Sequence, residues 1–311
     1  MASRSVDVLG VGYAALDLLC LVERFPEPDT KVPVLAMSRQ GGGQVGTALA
    51  AVARLGGRAA FIGKFGDDDV GEAAREALVR EGVDCSRALV VPGMASVFSV
   101  VVVEADSGRR TVLSRKDPRV VLAPSDVPES AVADARAVHL ATHEVDGAAA
   151  AAHHARRTGT LVSLDAERIR AGVDALVPLV DYLVAAHGFP RAFTGRADDR
   201  AALEALADLG PPVVVQTLGR EGARAFVAGR HVEVPGFDVP VVDTTGAGDV
   251  FHGAFLLAML DRDAGRTPAP EAVAESLRFA NAAAALKCRQ LGGRAGIPTR
   301  AEVERFLTGR G

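Results

Sequence analysis

The chain has 311 residues, of which 49% are hydrophobic and 24% charged, enough to bury the core of one large α/β domain. The net charge is −4, Trp is absent and no basic block occurs, which argues against nucleic acid or a membrane surface as partner. Cys20, Cys85 and Cys288 lack metal-ligand spacing, and no apolar leader or membrane-length segment is evident. A cytoplasmic protein with reduced thiols is expected.

The first third of the chain combines short apolar runs with glycine clusters. Val6–Val11 reads as a buried strand, and further strands are predicted over 31–37, 90–104 and 110–114. Asp17 interrupts the next apolar run, where a carboxylate either faces solvent or binds substrate hydroxyls. Gly41, Gly42 and Gly43 precede a helix predicted over 47–55. Such glycines allow a ligand to approach the backbone, or they form an ordinary flexible turn.

From about residue 127 onwards, apolar strands alternate with helices. The predicted strands cover 137–140, 161–164, 182–185 and 213–216, and the helices between them include 147–158 and 198–209. This alternation predicts a mostly parallel sheet with helices on both faces, whose ligands lie at the carboxyl ends of the strands.

Residues 242–255 carry the most specific pattern, Val-Asp-Thr-Thr-Gly-Ala-Gly-Asp-Val-Phe-His-Gly-Ala-Phe. Gly246, Ala247 and Gly248 lie between an extended run and an apolar helix. Their backbone N–H groups, with the positive end of the helix dipole, would form an anion hole for phosphate oxygens. Asp249 follows on the first helical turn. It is either a base that deprotonates an attacking hydroxyl or a plain helix N-cap.

This string resembles the C-terminal signature of the PfkB (ribokinase-like) family of carbohydrate kinases, Asp-Thr-x-Gly-Ala-Gly-Asp-x-Phe. The resemblance extends over nearly the whole chain. It implies a ribokinase-like three-layer α/β sandwich formed by residues 1–311, with a mostly parallel central sheet and a small β-sheet lid from segments near 13–38 and 90–115. Asp249 would be the catalytic base, and Gly246, Ala247 and Gly248 would form the anion hole. ATP and Mg²⁺ are the implied co-substrate and metal.

Further binding residues follow from the same resemblance. Asp17 and the Gly41–Gly42–Gly43 segment match the family's sugar-binding positions. The Thr-Leu-Gly-x-x-Gly segment with Thr217, Gly219 and Gly222 would contact nucleotide phosphates, and Asn281 matches the position that approaches adenine, or is only a helix-packing residue. Asp243 and Thr245 would help to hold a monovalent cation such as K⁺ behind the anion hole. A homodimer formed through the lid is a further expectation.

Two departures from the family pattern affect the substrates. Gly46 replaces the sugar-binding Asn of most members, which makes ribose less favoured. The Asn-x-x-Glu segment that organises Mg²⁺ waters is replaced by Ala185-Ala186-His187-Gly188-Phe189. Mg²⁺ would then be held mainly by nucleotide phosphates and water.

The C-terminal motifs look closest to the sulfofructose kinase branch. Lys31 matches the spacing of that branch's sulfonate-binding lysine, although a lone lysine on a lid strand is usually solvated. Two other polar positions of the branch are Ser114 and His143 here, and Arg115 and Lys116 could compensate for the altered lid position. The expected acceptor is a primary hydroxyl of a ketose or anionic ketose derivative, such as sulfofructose, fructose 6-phosphate or a fructose-like sugar.

Two alternatives to a sugar kinase stay open. A nucleoside kinase of the same fold would need lid aromatics that stack on a base, and Phe98 is the clear candidate. A non-catalytic sugar sensor would keep the fold without turnover, but retention of Asp249 and the Gly246–Gly248 string argues against it.

Overall fold

The computed structural model describes residues 4–309 and contains three β-sheets. The strands are β1 Val6–Val11, β2 Ala15–Val22, β3 Ala36–Gly42, β4 Ala59–Ile62, β5 Lys64–Gly66, β6 Leu89–Val91, β7 Phe98–Glu104, β8 Arg110–Arg115, β9 Ala135–Ala141, β10 Leu161–Ala166, β11 Tyr182–Ala185, β12 Val213–Thr217, β13 Gly222–Val227 and β14 Arg230–Pro235. The main sheet has eight strands in the order β14-β13-β12-β11-β10-β9-β1-β4. The strands from β12 to β4 run parallel, whereas β13 and β14 form an antiparallel hairpin at one edge.

Helices cover both faces of this sheet. They are α1 Gln44–Arg54, α2 Asp69–Arg80, α3 Glu129–Ala133, α4 Val145–Thr158, α5 Val173–Leu176, α6 Phe189–Thr194, α7 Asp199–Ala207, α8 Ala247–Asp261, α9 Pro270–Lys287 and α10 Arg300–Thr308. One apolar core joins α1, α8 and α9 to the sheet, and a second joins α4 and α7 to the opposite face. Val250 to Leu260 are all buried, because α8 lies between the sheet, α1 and α9. The predicted ribokinase-like three-layer arrangement is confirmed.

A separate four-stranded sheet, which we call the lid, has the order β3-β2-β7-β8. The strand predicted over 31–37 was placed wrongly, because β3 begins at Ala36 and includes Gly41 and Gly42. These residues suggested a turn, yet their backbones pair with β2, and ladder hydrogen bonds need no side chain. Likewise, the stretch predicted over 90–104 is divided between β6 and β7.

Within residues 4–309, no helix combines the length and hydropathy needed to cross a bilayer. The hairpin of β13 and β14 was not predicted from the sequence. Its turn contains Ala228 and Gly229, both with positive φ (49° and 73°), as expected for a two-residue hairpin loop.

Candidate active site

A cleft of about 610 Å³ opens at the carboxyl ends of the parallel strands, beneath the lid. β1, β9, β10, β11 and β12 all end at this edge, and the residues at or just after their ends line the cleft: Tyr13, His143, Asp165, Glu167, Ala186 and Thr217. The start of α8 and the inner face of the lid complete the walls. The sheet therefore brings together side chains from distant parts of the sequence, as expected for an open α/β sheet.

The turn that begins α8 lies on the floor of this cleft. Gly246 has the left-handed φ of 76°, and a Cβ there would lie 2.7 Å from the carbonyl oxygen of Gly293, so a larger residue does not fit. No atom lies within 4 Å of the position that a Cβ of Gly248 would take, and this residue faces the opening. The turn is thus open towards the cleft at Gly248, while the N–H of Ala247 donates a hydrogen bond of 3.2 Å to the carbonyl oxygen of Thr244.

Asp249 lies on the first turn of α8 and lines the cleft. Burial raises the pKa of its carboxyl to about 8, and the negative charge of Asp165 acts in the same direction. No side-chain N-cap hydrogen bond forms at the start of this helix, and Asp249 is not the N-cap residue. The plain N-cap alternative is therefore excluded by the structure.

A buried pair next to Asp249 was missed in the sequence. His252 Nε2 lies 3.2 Å from Asp165 Oδ1, and both side chains are almost fully buried. Burial works against a charged imidazole, but the charge and hydrogen bond of Asp165 outweigh it and raise the pKa of His252. His252 lies three residues after Asp249, on the same face of α8. This spacing was visible in the sequence, but the partner on β10 was not.

The lid contributes a row of polar residues. Asp17 on β2 is in register with Ser99 on β7, which is in register with Ser114 on β8, and all three line the cleft. Burial raises the pKa of Asp17, whereas the charge of Arg294 opposes this rise. The predicted residues Asp17 and Ser114 therefore both line the cleft beneath the lid.

The three consecutive glycines separate into two roles. Gly43 lines the cleft, with φ at 84°. Gly42 leaves space for Asp17, since a Cβ there would overlap the Asp17 carboxylate, and Gly41 leaves space for Arg294. Gly41 and Gly42 do not line the cleft but leave space for the side chains of Arg294 and Asp17.

Arg294 explains why Gly46 cannot be the Asn that most members of the resembled family carry at this position. Its buried guanidinium donates a hydrogen bond of 2.7 Å from Nη2 to the carbonyl oxygen of Gly42. A Cβ at Gly46 would lie 2.5 Å from the same nitrogen. An Asn would not fit at this position while Arg294 occupies the space.

One corner of the cleft is cationic. Lys116 Nζ lies 4.5 Å from the centroid of the Tyr13 ring and 3.6 Å from Glu144 Oε1, and Arg168 also lines the cleft. His143 packs edge-on against Tyr13. Burial and the neighbouring charges of Arg170 and Lys116 lower the pKa of His143 to about 4, so this ring is neutral near pH 7. We call Tyr13, Lys116, His143 and Arg168 the cationic corner.

The other predicted cations lie elsewhere. Lys31 is exposed on the segment between β2 and β3 and does not line the cleft. Arg115 turns away from the cleft, with its guanidinium 3.7 Å from Asp68 and bonded to the carbonyl oxygen of Ser96. Arg110 on β8, which was not predicted, lines the cleft and donates a hydrogen bond of 3.0 Å to Thr244 Oγ1. Lid and anion-hole turn are therefore in direct contact.

The predicted nucleotide-binding residues are only partly brought together. Thr217 lines the cleft at the end of β12, and Gly219 lies in the exposed turn that follows. Gly222 is buried at the start of β13, where a Cβ would lie 2.2 Å from the Val234 carbonyl oxygen. The amide nitrogen of Asn281 donates to the carbonyl oxygens of Val234 and Pro235 at 3.2 Å each. In this structure both Gly222 and Asn281 contact β14.

A divalent metal would find few protein ligands here. Among the described residues, no cluster of three or more His, Cys, Asp or Glu side chains could hold a metal ion. Asp165 is paired with His252, whereas Glu167 is exposed at the cleft, accepts a 2.7 Å hydrogen bond from Gln44 and lies 3.8 Å from Arg168 Nε. Mg²⁺ usually keeps several waters and binds through one or two carboxylates plus phosphates, so Glu167 fits such an ion.

The fold and the cleft define a class of protein, kinases that phosphorylate a hydroxyl group of a sugar or nucleoside. The chain belongs to the pfkB family of carbohydrate kinases, because the family model matches residues 6–300. It is a phosphotransferase, in agreement with the prediction from the sequence.

Individual relatives cover almost the whole chain. An ATP-dependent ribose-1-phosphate kinase of Halopiger xanaduensis is 32% identical, over 98% of this chain and 99% of its own length. The structure of Arabidopsis thaliana ribokinase, complexed with ribose and ATP, has a TM-score of 0.80 at 25% identity and covers 97% of this chain and 99% of the other. An E. coli structure described as a ribokinase II candidate, with ATP and Mg²⁺, has a TM-score of 0.84 at 22% identity and covers 98% and 99%.

Proposed function

We propose that this chain transfers the γ-phosphoryl group of ATP to a primary hydroxyl of an anionic sugar, which is a ketose or pentose that also carries a phosphate or sulfonate. The observation that carries the acceptor class is the cationic corner. Lys116, 3.6 Å from Glu144, and Arg168, 3.8 Å from Glu167, place two positive charges in the same cleft as Asp249. The Halopiger relative, named an ATP-dependent ribose-1-phosphate kinase, supports an acceptor of this charge type.

In the proposed reaction, Asp249 accepts the proton of the attacking hydroxyl. Its pKa of about 8 is well matched to a base near neutral pH. The N–H groups of the Gly246–Gly248 turn stabilise the charge on the transferred phosphoryl group. Asp17, with Ser99 and Ser114 beside it, binds hydroxyl groups of the acceptor.

Mg²⁺, when bound with the nucleotide, neutralises phosphate charge. Glu167 would hold it through water, and Thr217 would contact the nucleotide phosphates. Arg110 carries a further positive charge at the junction of lid and anion-hole turn.

The nucleoside kinase alternative has less support. Phe98, its candidate stacking residue, does not line the cleft, where Tyr13 provides the aromatic side chain among the described residues. One face of the Tyr13 ring is covered by the Lys116 ammonium at 4.5 Å. A base would have to displace this cation before it could stack there.

The decisive experiment measures ATP consumption over paired acceptors: ribose and ribose 1-phosphate, and fructose with fructose 6-phosphate and sulfofructose. A charged acceptor is expected to have the higher kcat/KM. Lys116→Met should raise the KM of that acceptor about ten- to hundredfold, as expected for loss of one charge-assisted hydrogen bond worth roughly 1.5–3 kcal/mol.

Lys31→Met is the matched control, because Lys31 is the other lysine of the lid region but is exposed outside the cleft. It should leave the KM unchanged. A preference for neutral acceptors, or equal losses for both variants, would contradict the assignment of the cationic corner. No ATP consumption with any acceptor, nucleosides included, would favour the sensor.

A further inference from the structure

The ammonium group of Lys287 is buried directly behind the anion-hole turn. Lys287 is the last residue of α9, and its side chain is fully buried. Nζ donates a hydrogen bond of 2.8 Å to the backbone carbonyl oxygen of Asp243. Within the described part of the chain it forms no ion pair, since no carboxylate lies within 4 Å of it. A buried cation held by a carbonyl group is costly, so a functional reason is expected.

Asp243 links this ammonium to the anion hole. Its Oδ1 accepts hydrogen bonds from the N–H and hydroxyl groups of Thr245, at 2.8 and 2.7 Å. Its Oδ2 accepts a bond of 2.8 Å from the N–H of Gly292. Gly246, the first residue of the hole, follows Thr245 directly and packs against Gly293. The position of the hole therefore depends on Asp243, to which Lys287 is bonded.

These contacts leave little room for the monovalent cation that the sequence suggested at Asp243 and Thr245. Both carboxylate oxygens of Asp243 and its carbonyl oxygen already accept hydrogen bonds. K⁺ and an ammonium group have the same charge and bind the same kind of carbonyl oxygen. The residues present thus do not fit a K⁺ ion, because a lysine supplies the charge.

Burial lowers the pKa of Lys287, whereas the nearby charges of Asp243 and, less strongly, Asp249 raise it.

We propose that Lys287 replaces a monovalent cation behind the anion hole, and that this kinase therefore works without K⁺. The proposal rests on the kinase function proposed above. Lys287 is a positioning residue: it fixes the Asp243 carbonyl and adds positive potential where charge accumulates on the phosphoryl group. A tethered ammonium cannot dissociate, so the site needs no ion from solution.

The first test uses the wild-type protein. Initial rates and the Kd of MgATP are measured in tetramethylammonium buffer at constant ionic strength, with K⁺ increased stepwise in exchange for tetramethylammonium. Rates and Kd are expected to stay unchanged. Activation by K⁺ of about tenfold or more, the scale of losing part of an oxyanion hole, would overturn the proposal. If no acceptor supports turnover, the proposed function fails, and the response of the MgATP Kd to K⁺ still decides the role of Lys287.

The second test compares Lys287→Ala with Lys287→Met. The alanine variant opens a space that K⁺ or NH₄⁺ can enter, so its kcat should fall at least about tenfold without these ions and recover when they are added. The methionine variant fills the space without a charge, and added K⁺ should not restore it. A loss in Lys287→Ala that K⁺ and NH₄⁺ leave unchanged would assign Lys287 a purely structural role.

Lys64→Met is the matched control. Lys64 also donates to a backbone carbonyl, that of Val121 at 2.9 Å, but lies next to Asp126 and does not line the cleft. This variant should be as indifferent to K⁺ as the wild type. Thermal unfolding of all variants separates loss of fold from loss of charge. If Lys287→Ala does not fold, the wild-type measurements decide alone.

Discussion

At the scale of single residues, Asp249 is the group on which catalysis should depend most. The variant Asp249→Asn keeps the size and the helix position but cannot accept a proton. We expect kcat to fall at least about a hundredfold, the scale of losing a positioned base, with little change in MgATP affinity. Asp261→Asn, at the other end of α8 and paired with Arg300, is the control and should keep near-normal turnover. Near-normal kcat in Asp249→Asn would remove this residue from the mechanism.

The pH dependence of kcat/KM reports the same carboxyl in the free enzyme. Burial raises its pKa to about 8, and a base must be deprotonated to act, so kcat/KM should increase with pH up to about pH 8. If kcat/KM has already reached its plateau at pH 6, Asp249 is not desolvated in this way.

His252 provides a test of which neighbouring charges set the pKa of Asp249. Its charge lowers the pKa of Asp249, whereas Asp165 raises it. The variant His252→Asn leaves Asp165 without its partner, so the rise of kcat/KM should move to higher pH. His231→Asn is the control. It removes a histidine of the edge hairpin that lies 2.7 Å from Glu204 on α7, and it should leave the pH profile unchanged. A shift to lower pH in His252→Asn would contradict this electrostatic account.

At the scale of elements, the contact between lid and anion-hole turn depends on Arg110. Its 3.0 Å hydrogen bond to Thr244 Oγ1 joins β8 to the turn before α8. We predict that the lid closes over the acceptor and excludes water, so that Arg110→Ala should raise the KM of the acceptor and increase ATP hydrolysis without acceptor relative to the wild type. Both quantities can be measured in one coupled assay.

Arg109→Ala controls for the loss of a lid arginine. Arg109 directly precedes Arg110, is largely exposed and pairs with Glu104 at 3.3 Å. It should leave ATP hydrolysis low. Equal hydrolysis in both variants would argue against Arg110 as the contact that closes the lid.

The elements were predictable where one local pattern decides them. β1 and β11 have the bounds that their apolar runs indicated. The Gly246–Gly248 turn and Asp249 were found because their chemistry is contiguous in sequence. β3 was misplaced because its pairing with β2 is made by backbone groups, which a pattern of side chains does not report.

The rest of the site was not predictable because each feature joins residues far apart in the chain. Arg294 occupies space next to Gly46, and His252 is paired with Asp165. In the sequence, Gly46 is only a missing Asn and Lys287 only the end of an Ala-rich helix. Their partners become apparent when the sheet brings the strand ends together.

At the scale of the whole molecule, the lid presents an apolar surface. Val34 and Leu35, just before β3, and Met37 on β3 form an exposed apolar patch, each at least 50% exposed, whereas the equally exposed Val112 on β8 lines the cleft. Exposed apolar side chains beside an unpaired strand edge can pack against another chain, and β3 and β8 are unpaired sheet edges among the described residues. We predict a homodimer through the lid, with a mass by light scattering of twice the 32.2 kDa of one chain.

Substitution within the patch should separate the two copies. Met37→Glu, at the most exposed of these positions, should give a monomer by the same measurement. Val79→Glu is the control, because Val79 is 51% exposed on α2, outside the lid. A monomeric wild type at micromolar concentration, or a dimer that persists in Met37→Glu, would rule out this interface.

The strand order also determines when the protein can fold on the ribosome. β1 lies between β4 and β9, yet residues 6–11 are made long before residues 135–141. At roughly 5–20 residues per second, on the order of ten seconds pass before β1 gains its second neighbour. During this interval one edge of β1 stays open to other nascent chains or to chaperones. A truncated chain that stops before β9 should therefore aggregate, because β1 has no partner on that side.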